Sequence, residues 1–186
     1  NEVDDVTAET MFEIASLSKT FASAFAIEYF TQRGIKLTTS VNKLLRECGS
    51  SFRLNHPDNV EWGEQVNLQH LMSHSALNMH YVNGIPLNEE ENMLPIKEFL
   101  NGNKKYGYPP IAVLSKPGTI FHYSGGGFLV LQHLIESFEK TSSIQKIMEP
   151  FLHKLGIAEK TLTFEGKPAN ENKIARGYND NGGMYG

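Results

Sequence analysis

The longest apolar run of the chain, residues 21–30, has apolar side chains on nearly every face of a helix. A helix of that kind is normally buried, so the pattern predicts a buried helix here. Gly34 follows at a position where a glycine commonly ends a helix. Ser16 and Lys19 lie three residues apart where the helix is expected to begin, which places both side chains on one helical face.

Weaker helical patterns occur further along the chain. We predict short helices at residues 41–45, 67–74 and 95–100, and longer ones at residues 128–135 and 142–155. Asn67 is placed to cap the second of these. Ser142 is expected to cap the last, with Gln145 completing a capping box and Gly156 ending the helix. Residues 49–66 are rich in Gly, Ser, Asn, Pro and Asp, which predicts a surface loop.

Composition narrows the class of protein. With 186 residues, of which 40% are hydrophobic and 20% charged, the chain is expected to form one globular domain, residues 1–186. The net charge of −4, with Lys and Arg scattered, offers no basic surface for nucleic acid. Ser23 and Glu28 interrupt the apolar run, so no transmembrane segment is predicted. Cys48 is the single cysteine, which excludes an internal disulfide and a cysteine-rich metal site.

Ser16 and Lys19 form a Ser-x-x-Lys motif with an evident chemical use. A desolvated lysine has a lowered pKa, so Lys19 could accept the proton of the Ser16 hydroxyl and make the serine nucleophilic. A structural alternative is equally simple. Ser16, or Ser18 in its place, caps the helix while Lys19 is a solvated lysine of the first turn.

His70 and His74 lie four residues apart, a spacing that suits two metal ligands on one helical face. No glutamate follows His70 as in the helical zinc-protease motif, and the sequence marks no third ligand. We therefore favour hydrogen-bonded structural histidines and expect no metal site.

A glycine-rich bend, residues 125–127, precedes the helical pattern at residues 128–135 and could cradle a phosphate group. It lacks the Gly-Lys-Ser/Thr ending and the Gly-x-Gly context of phosphate-binding loops. No cofactor is therefore expected.

The motifs, taken in order from about Thr10 to Tyr178, resemble the serine β-lactamase and penicillin-binding-protein superfamily, in particular its class C β-lactamase, esterase and DD-peptidase branch. The segments that carry the resemblance are Phe12-Glu13-Ile14-Ala15-Ser16-Leu17-Ser18-Lys19, Leu68-Gln69-His70-Leu71-Met72-Ser73-His74-Ser75, Lys116-Pro117-Gly118-Thr119-Ile120-Phe121-His122-Tyr123-Ser124, Pro150-Phe151-Leu152-His153-Lys154-Leu155-Gly156-Ile157 and Ala175-Arg176-Gly177-Tyr178.

The resemblance implies an α/β (α+β) fold of the β-lactamase/transpeptidase type. In that fold the central antiparallel sheet is built from strands before Thr10 and after Tyr178, so this chain is expected to be mainly the helical lobe, a partial domain. Stable folding is then expected to need further segments of the same protein or self-association. Relatives that act on cell-wall peptides work in the periplasm or outside the cytoplasm, whereas esterase-like relatives need not.

The resemblance also implies roles for single residues. Ser16 corresponds to the acylated nucleophile, Lys19 to its proton partner and Tyr123 to the tyrosine of the Tyr-x-Asn element. Ser124 and Gly125 complete that element and are expected to bind substrate. The substrate is expected to be a small molecule or peptide with an amide, β-lactam or ester bond. Acylation of Ser16 would then be followed by release to water or another acceptor, with the Ser16 N–H as one donor of an oxyanion hole.

The sequence shows two departures from the family's motifs and one absence. Gly125 replaces the usual asparagine of Tyr-x-Asn, which favours an esterase or another hydrolase over efficient β-lactam hydrolysis. Ala76-Leu77 stands where the family usually has a glycine, and no Lys-Thr-Gly or His-x-Gly strand follows Tyr123. A penicillin-recognising module without turnover, or an inactive relative, is therefore the alternative to an enzyme.

Overall fold

This structure, a computed structural model, describes residues 5–78, 95–105, 107–158, 161–164, 174–178 and 180–182. These segments contain seven α-helices and a 3₁₀ turn at Ala15–Leu17. The helices are α1 (Ser18–Gln32), α2 (Val41–Glu47), α3 (Val60–Gln65), α4 (Leu68–Met72), α5 (Ile96–Leu100), α6 (Gly125–Glu139) and α7 (Ile144–Lys154). Strand pairing in these segments is limited to isolated bridges. The expectation of a mainly helical architecture is confirmed.

Helix α6 lies at the centre of the described fold and packs against α1, α4, α5 and α7. Its apolar positions recur at helical spacing, and the buried ones on its inner face are Val130, Leu131, Leu134 and Ile135. The neighbouring helices add fully buried side chains to the same core, among them Phe30, Leu44, Leu71 and Leu100. Helix α6 therefore sets the positions of the elements around it.

Helix α1 is buried on one face only. Phe25 and Phe30 are buried, and the Phe25 ring lies 5.5 Å from that of Phe151 on α7. On the opposite face Ala24 is exposed and Ile27 keeps 42% of its surface accessible. The prediction of burial on all sides is therefore wrong within this chain. A helix with two apolar faces needs packing partners on both, and the described residues cover only one.

Helix α3 lies inside residues 49–66, where composition predicted a surface loop, so that prediction is wrong for Val60–Gln65. Gly63 is buried against the preceding chain, since a Cβ at this position would lie 2.3 Å from the carbonyl oxygen of Leu54. The Asn42 side chain holds the same residue from α2, accepting from the Leu54 N–H and donating to the Leu54 carbonyl, both at 2.8 Å. These contacts fix a helix in a segment whose composition alone favours a loop.

Glycines end the helices where the sequence indicated. Gly34 has φ +69°, and the N–H of Ile35 reaches back to the carbonyl of Phe30 at 2.9 Å. Gly156 has φ +77° after α7 and the same pattern of backbone hydrogen bonds. Both predicted helix ends are confirmed.

Of the two predicted helix caps, the one at Asn67 is confirmed and the one at Ser142 is wrong. Asn67 Oδ1 accepts a hydrogen bond from the His70 N–H at 3.0 Å, as predicted. Helix α7, however, is capped by Ser143 rather than Ser142. Both serines satisfy the local preference, but burial of Ile144 fixes the register of the helix one residue later. Gln145 does not close a capping box and instead accepts from the Phe164 N–H at 2.9 Å.

Two irregular segments, residues 74–78 and 111–122, pair side by side and lead to Tyr123. Hydrogen bonds join the N–H groups of Leu114, Gly118 and His122 to the carbonyl oxygens of Ala76, Ser75 and His74, at 2.9, 2.7 and 2.8 Å. This pairing places the chain just before α6 next to the beginning of α1.

No helix in the described ranges is both long enough and apolar enough to cross a lipid bilayer.

Candidate active site

Ser16 lies in the 3₁₀ turn that leads into α1, with its side chain exposed. Ala15 before it has φ +42°, a left-handed conformation that few alanines adopt. The N-cap of α1 is Leu17, so neither Ser16 nor Ser18 occupies the capping position. The structure therefore does not support the capping alternative and leaves the Ser16 hydroxyl directed at other side chains.

Ser16, Lys19 and Tyr123 meet at this point of the surface. Ser16 Oγ lies 2.5 Å from Tyr123 Oη and accepts a hydrogen bond from Lys19 Nζ at 3.1 Å. Lys19 Nζ also lies 5.0 Å from the centre of the Tyr123 ring. The structure brings the three predicted catalytic side chains together, two from one helical turn and one from the segment before α6.

The charge of Lys19 changes the acidity of the phenol. Burial raises the pKa of Tyr123, but the hydrogen bonds with Lys19 and Ser16, together with the positive charge of Lys19, outweigh it. The pKa of Tyr123 consequently lies below its usual value. A phenol of this kind ionises more readily, and the phenolate so formed can accept a proton from a neighbouring hydroxyl.

Ser124 and Gly125, the predicted substrate-binding residues, follow Tyr123 at the beginning of α6. Ser124 is 1% exposed, and its Oγ has no hydrogen-bond partner in the described part of the chain. Gly125 is half-buried and is the first residue of α6. Of these two residues, therefore, only Gly125 is accessible to a substrate next to Tyr123.

The glycine-rich bend serves close packing between helices. A Cβ on Gly127 would lie 2.8 Å from the carbonyl oxygen of Leu71, so only a glycine lets α6 approach α4 this closely. Gly126 is buried as well. Helix packing therefore explains Gly126 and Gly127 without a bound phosphate group.

The two histidines do not share a helical face, because α4 ends at Met72, before His74. His70 Nδ1 accepts from the Asn67 N–H at 3.3 Å, and His74 Nδ1 accepts from the Ser124 N–H at 3.1 Å. Burial lowers the pKa of both imidazoles. Both imidazoles thus accept hydrogen bonds from backbone N–H groups. The described residues contain no cluster of His, Cys, Asp or Glu suited to a metal ion.

Two aromatic contacts at the site were not anticipated from the sequence. The ring of His74 lies 4.5 Å from that of Tyr123, and the ring of Phe128 lies 5.7 Å from Lys19 Nζ. Phe128 enters from the second turn of α6, where its apolar character indicated only core packing. Spacing alone gave no signal that it faces the lysine.

Known proteins are similar to this chain at the level of the family and of the fold. Residues 2–184 match the beta-lactamase family. The fold is similar to that of a class C beta-lactamase (TM-score 0.60, 22% identity, covering 98% of this chain and 45% of that chain). It is also similar to D-alanine carboxypeptidase AmpC from Burkholderia cenocepacia (TM-score 0.61, 22% identity, 98% and 43%). The octameric penicillin-binding protein homologue from Pyrococcus abyssi is a further match (TM-score 0.57, 23% identity, 97% and 39%).

The chain spans less than half the length of these three structures. At such identities the likeness establishes the fold and not the substrate. No curated protein sequence matches the chain significantly. The family match, in contrast, extends over nearly the whole sequence. The chain therefore belongs to the beta-lactamase family.

Proposed function

We propose that this chain carries the nucleophile of a serine hydrolase that acts through an acyl-enzyme. The observation that carries the proposal is the pair of hydrogen bonds at Ser16 Oγ, to Tyr123 Oη at 2.5 Å and from Lys19 Nζ at 3.1 Å. A serine hydroxyl is a weak nucleophile until a neighbouring base can take its proton. Tyr123 and Lys19 supply that base and a positive charge to stabilise its ionised form.

In the proposed acylation, Ser16 Oγ forms a bond to the carbonyl carbon of an amide, β-lactam or ester. The phenolate of Tyr123 takes the serine proton and then passes it to the leaving nitrogen or oxygen as the bond between that atom and the carbonyl carbon breaks. Water next attacks the Ser16 ester, releases the acid and restores the hydroxyl. The Ser16 N–H is proposed as one donor to the developing oxyanion.

Gly125 makes an ester the favoured substrate class. The asparagine usual in the family at this position contributes a side-chain amide that contacts the acyl-amide of peptides and β-lactams, and Gly125 has none. A simple ester has no acyl-amide, so its binding does not depend on this contact. The relatives described as a beta-lactamase and a carboxypeptidase set the range of substrates to test.

The test is intact-mass analysis after incubation with a fluorophosphonate and, separately, with a fluorescent penicillin. Ser16→Ala is the variant that should abolish labelling, and Ser18→Ala, two residues away in α1, is the matched control that should retain it. A single adduct lost only in Ser16→Ala supports the proposal. Labelling by penicillin that persists without turnover would favour a penicillin-recognising module instead, and the absence of any adduct would contradict an activated Ser16.

The exposed face of α1 supports a proposal of self-association. Ala24, Ile27 and the neighbouring Leu17 present apolar surface, with Leu17 67% exposed. One structural relative is described as octameric. Light scattering coupled to size exclusion should show oligomers of the wild-type chain that Ile27→Lys weakens, whereas Val60→Lys, at an exposed residue of α3, serves as the control. A monodisperse wild-type monomer would contradict self-association.

A further inference from the structure

His74 holds the backbone on both sides of Tyr123. Its carbonyl oxygen accepts from the N–H of His122 at 2.8 Å, and its ring Nδ1 accepts from the N–H of Ser124 at 3.1 Å. Tyr123 is thus the residue between two hydrogen bonds that converge on a single neighbour. Such bonds fix the plane and direction from which the tyrosine side chain projects.

The imidazole of His74 also contacts the Tyr123 side chain itself. The two ring centres lie 4.5 Å apart with 34° between their planes, and the rings of Phe121 and Phe128 lie 5.8 and 5.7 Å from the imidazole. Contacts of this kind restrict the phenol to one direction. In that direction its hydroxyl reaches Ser16 Oγ.

His74 is itself held in an unusual backbone conformation. Its φ is +56°, in the left-handed region that few residues other than glycine adopt, although histidine, like asparagine and aspartate, adopts it more often than most. The Ser75 N–H bonds back to the His70 carbonyl at 3.1 Å, and the Gly118 N–H bonds to the Ser75 carbonyl at 2.7 Å. A conformation of this kind persists only where the surroundings determine it. Here it aims both acceptors of His74 at the segment that contains Tyr123.

The hydrogen bond from Ser124 requires an unprotonated Nδ1. Burial lowers the pKa of His74; the contact with the Ser124 backbone opposes this effect and the charge of Lys19 adds to it, so the pKa lies below its usual value and the imidazole is neutral near pH 7. Acceptance at Nδ1 then places the ring proton on Nε2. The ring therefore acts as a hydrogen-bond acceptor for Ser124 and as a packing surface for Tyr123.

From these contacts we infer that His74 is a positioning residue, which holds the Tyr123 hydroxyl against Ser16 Oγ through its Nδ1 acceptor and its ring. It does not touch the reacting atoms and acts through the tyrosine. The effect on rate rests on the proposed function, whereas the position of the phenol can be measured without any turnover.

The experiment compares His74→Asn with His74→Gly in the full chain. Both residues accept the positive φ of this position, and both lack the ring. Only asparagine keeps an acceptor, at Oδ1, the same number of bonds from the backbone as Nδ1. Circular dichroism and thermal melting identify variants that remain folded.

The main measurement is the pKa of Tyr123 by NMR of protein labelled at the tyrosine ring carbon that bears the hydroxyl, with the signal assigned by its loss in Tyr123→Phe. In the wild type this pKa should lie below the ordinary value of about 10. It should stay low in His74→Asn and rise towards about 10 in His74→Gly, since the phenol then loses its contacts with Lys19 and Ser16. The rate of Ser16 labelling should fall by about 10²-fold in His74→Gly, with partial recovery in His74→Asn.

A folded His74→Gly with the wild-type pKa of Tyr123 would overturn the inference. The inference would also fail if His74→Asn raised the pKa of Tyr123 as much as His74→Gly does, because the Nδ1 acceptor would then have no role. The pKa of Tyr123 could rise in His74→Gly although the wild-type protein forms no adduct at Ser16. That result would support the positioning role of His74 and contradict the proposed hydrolase. The two failures are therefore distinguishable.

Discussion

Tyr123 Oη lies 2.5 Å from Ser16 Oγ, although 107 positions separate the two residues in the chain. The contact joins the 3₁₀ turn before α1 to the segment before α6. Lys19 Nζ donates a second hydrogen bond to Ser16 Oγ. An exposed serine is ordinarily hydrated, whereas this one has two side-chain partners held by separate elements. Changes to either partner should therefore alter the reactivity of Ser16 while leaving the helical core intact.

Replacing Tyr123 with phenylalanine should slow the labelling of Ser16 by a fluorophosphonate. The ring and its contact with His74 remain, but the group that takes the serine proton is gone, so the rate should fall by about 10²- to 10⁴-fold. Tyr178→Phe is the matched control, since Tyr178 is 59% exposed and should leave the rate unchanged. Equal labelling rates for Tyr123→Phe and the wild type would show that Tyr123 is not the base.

The pH dependence of labelling should depend on Lys19. Burial raises the pKa of Tyr123, and the hydrogen bonds of Lys19 and Ser16 and the charge of Lys19 reverse that effect. Because the phenolate is the reactive form, the rate should rise with pH through this lowered pKa and then level off. Lys19→Met keeps an unbranched side chain but removes the charge. The effect of burial on the pKa of Tyr123 then prevails, so the labelling rate should rise at a higher pH than in the wild type. If the rate of Lys19→Met rises over the same pH range as that of the wild type, Lys19 does not lower the pKa of Tyr123.

The local features of the site could be predicted from the sequence. The spacing of Ser16 and Lys19 places them on one helical turn whatever the rest of the chain does, and Asn67 and Gly34 act on their own neighbouring backbone. Tyr123 could be added only from the family resemblance, because no periodicity links residues so far apart. The contacts of His74 with that tyrosine and its neighbours depend on the pairing of two irregular segments, which the local sequence pattern does not predict.

The incorrect predictions have physical causes of the same kind. Ser142 and Ser143 are equal candidates for a cap until the burial of Ile144 fixes the helix register. The all-round apolar character of α1 indicates burial, but exposure of Ile27 depends on which surfaces are present to pack against it. Helix α3 forms where composition indicated a loop, because composition does not show the packing of Gly63 on Leu54. Tertiary structure decides each of these.

Gly125→Asn should shift the reactivity of the site towards β-lactams. The substitution adds the side-chain amide that the family usually has at this position, which can hydrogen-bond the acyl-amide of a penicillin. One such bond should raise the rate of penicillin labelling relative to fluorophosphonate labelling by about two- to tenfold. Gly125→Ala is the matched control for the loss of glycine in the first turn of α6. If the two variants give the same ratio of rates, the amide has no part in selecting the substrate.

Mild acid should destabilise the fold through His133, which is buried. His133 is 6% exposed, with Nε2 at 2.7 Å from Ser50 Oγ and its ring edge-on to Phe52. Burial lowers its pKa, and the charge of Lys97 lowers it further. In the unfolded chain a histidine titrates near pH 6.5. From about pH 6.5 down to the lowered value, the unfolded state binds more protons than the folded state, so the free energy of unfolding should decrease as the pH falls.

The decrease should approach about 1.4 kcal/mol per pH unit for each such histidine within that window. It can be measured by urea unfolding at several pH values on either side of about 6.5. His133→Gln keeps a hydrogen-bonding side chain that cannot be protonated, so its stability should fall less steeply with decreasing pH than that of the wild type. His153→Gln, on the exposed side of α7, is the control and should show the wild-type dependence. A His133→Gln profile parallel to the wild type would mean that protonation of His133 does not limit stability, because the folded state would then bind that proton as readily as the unfolded chain.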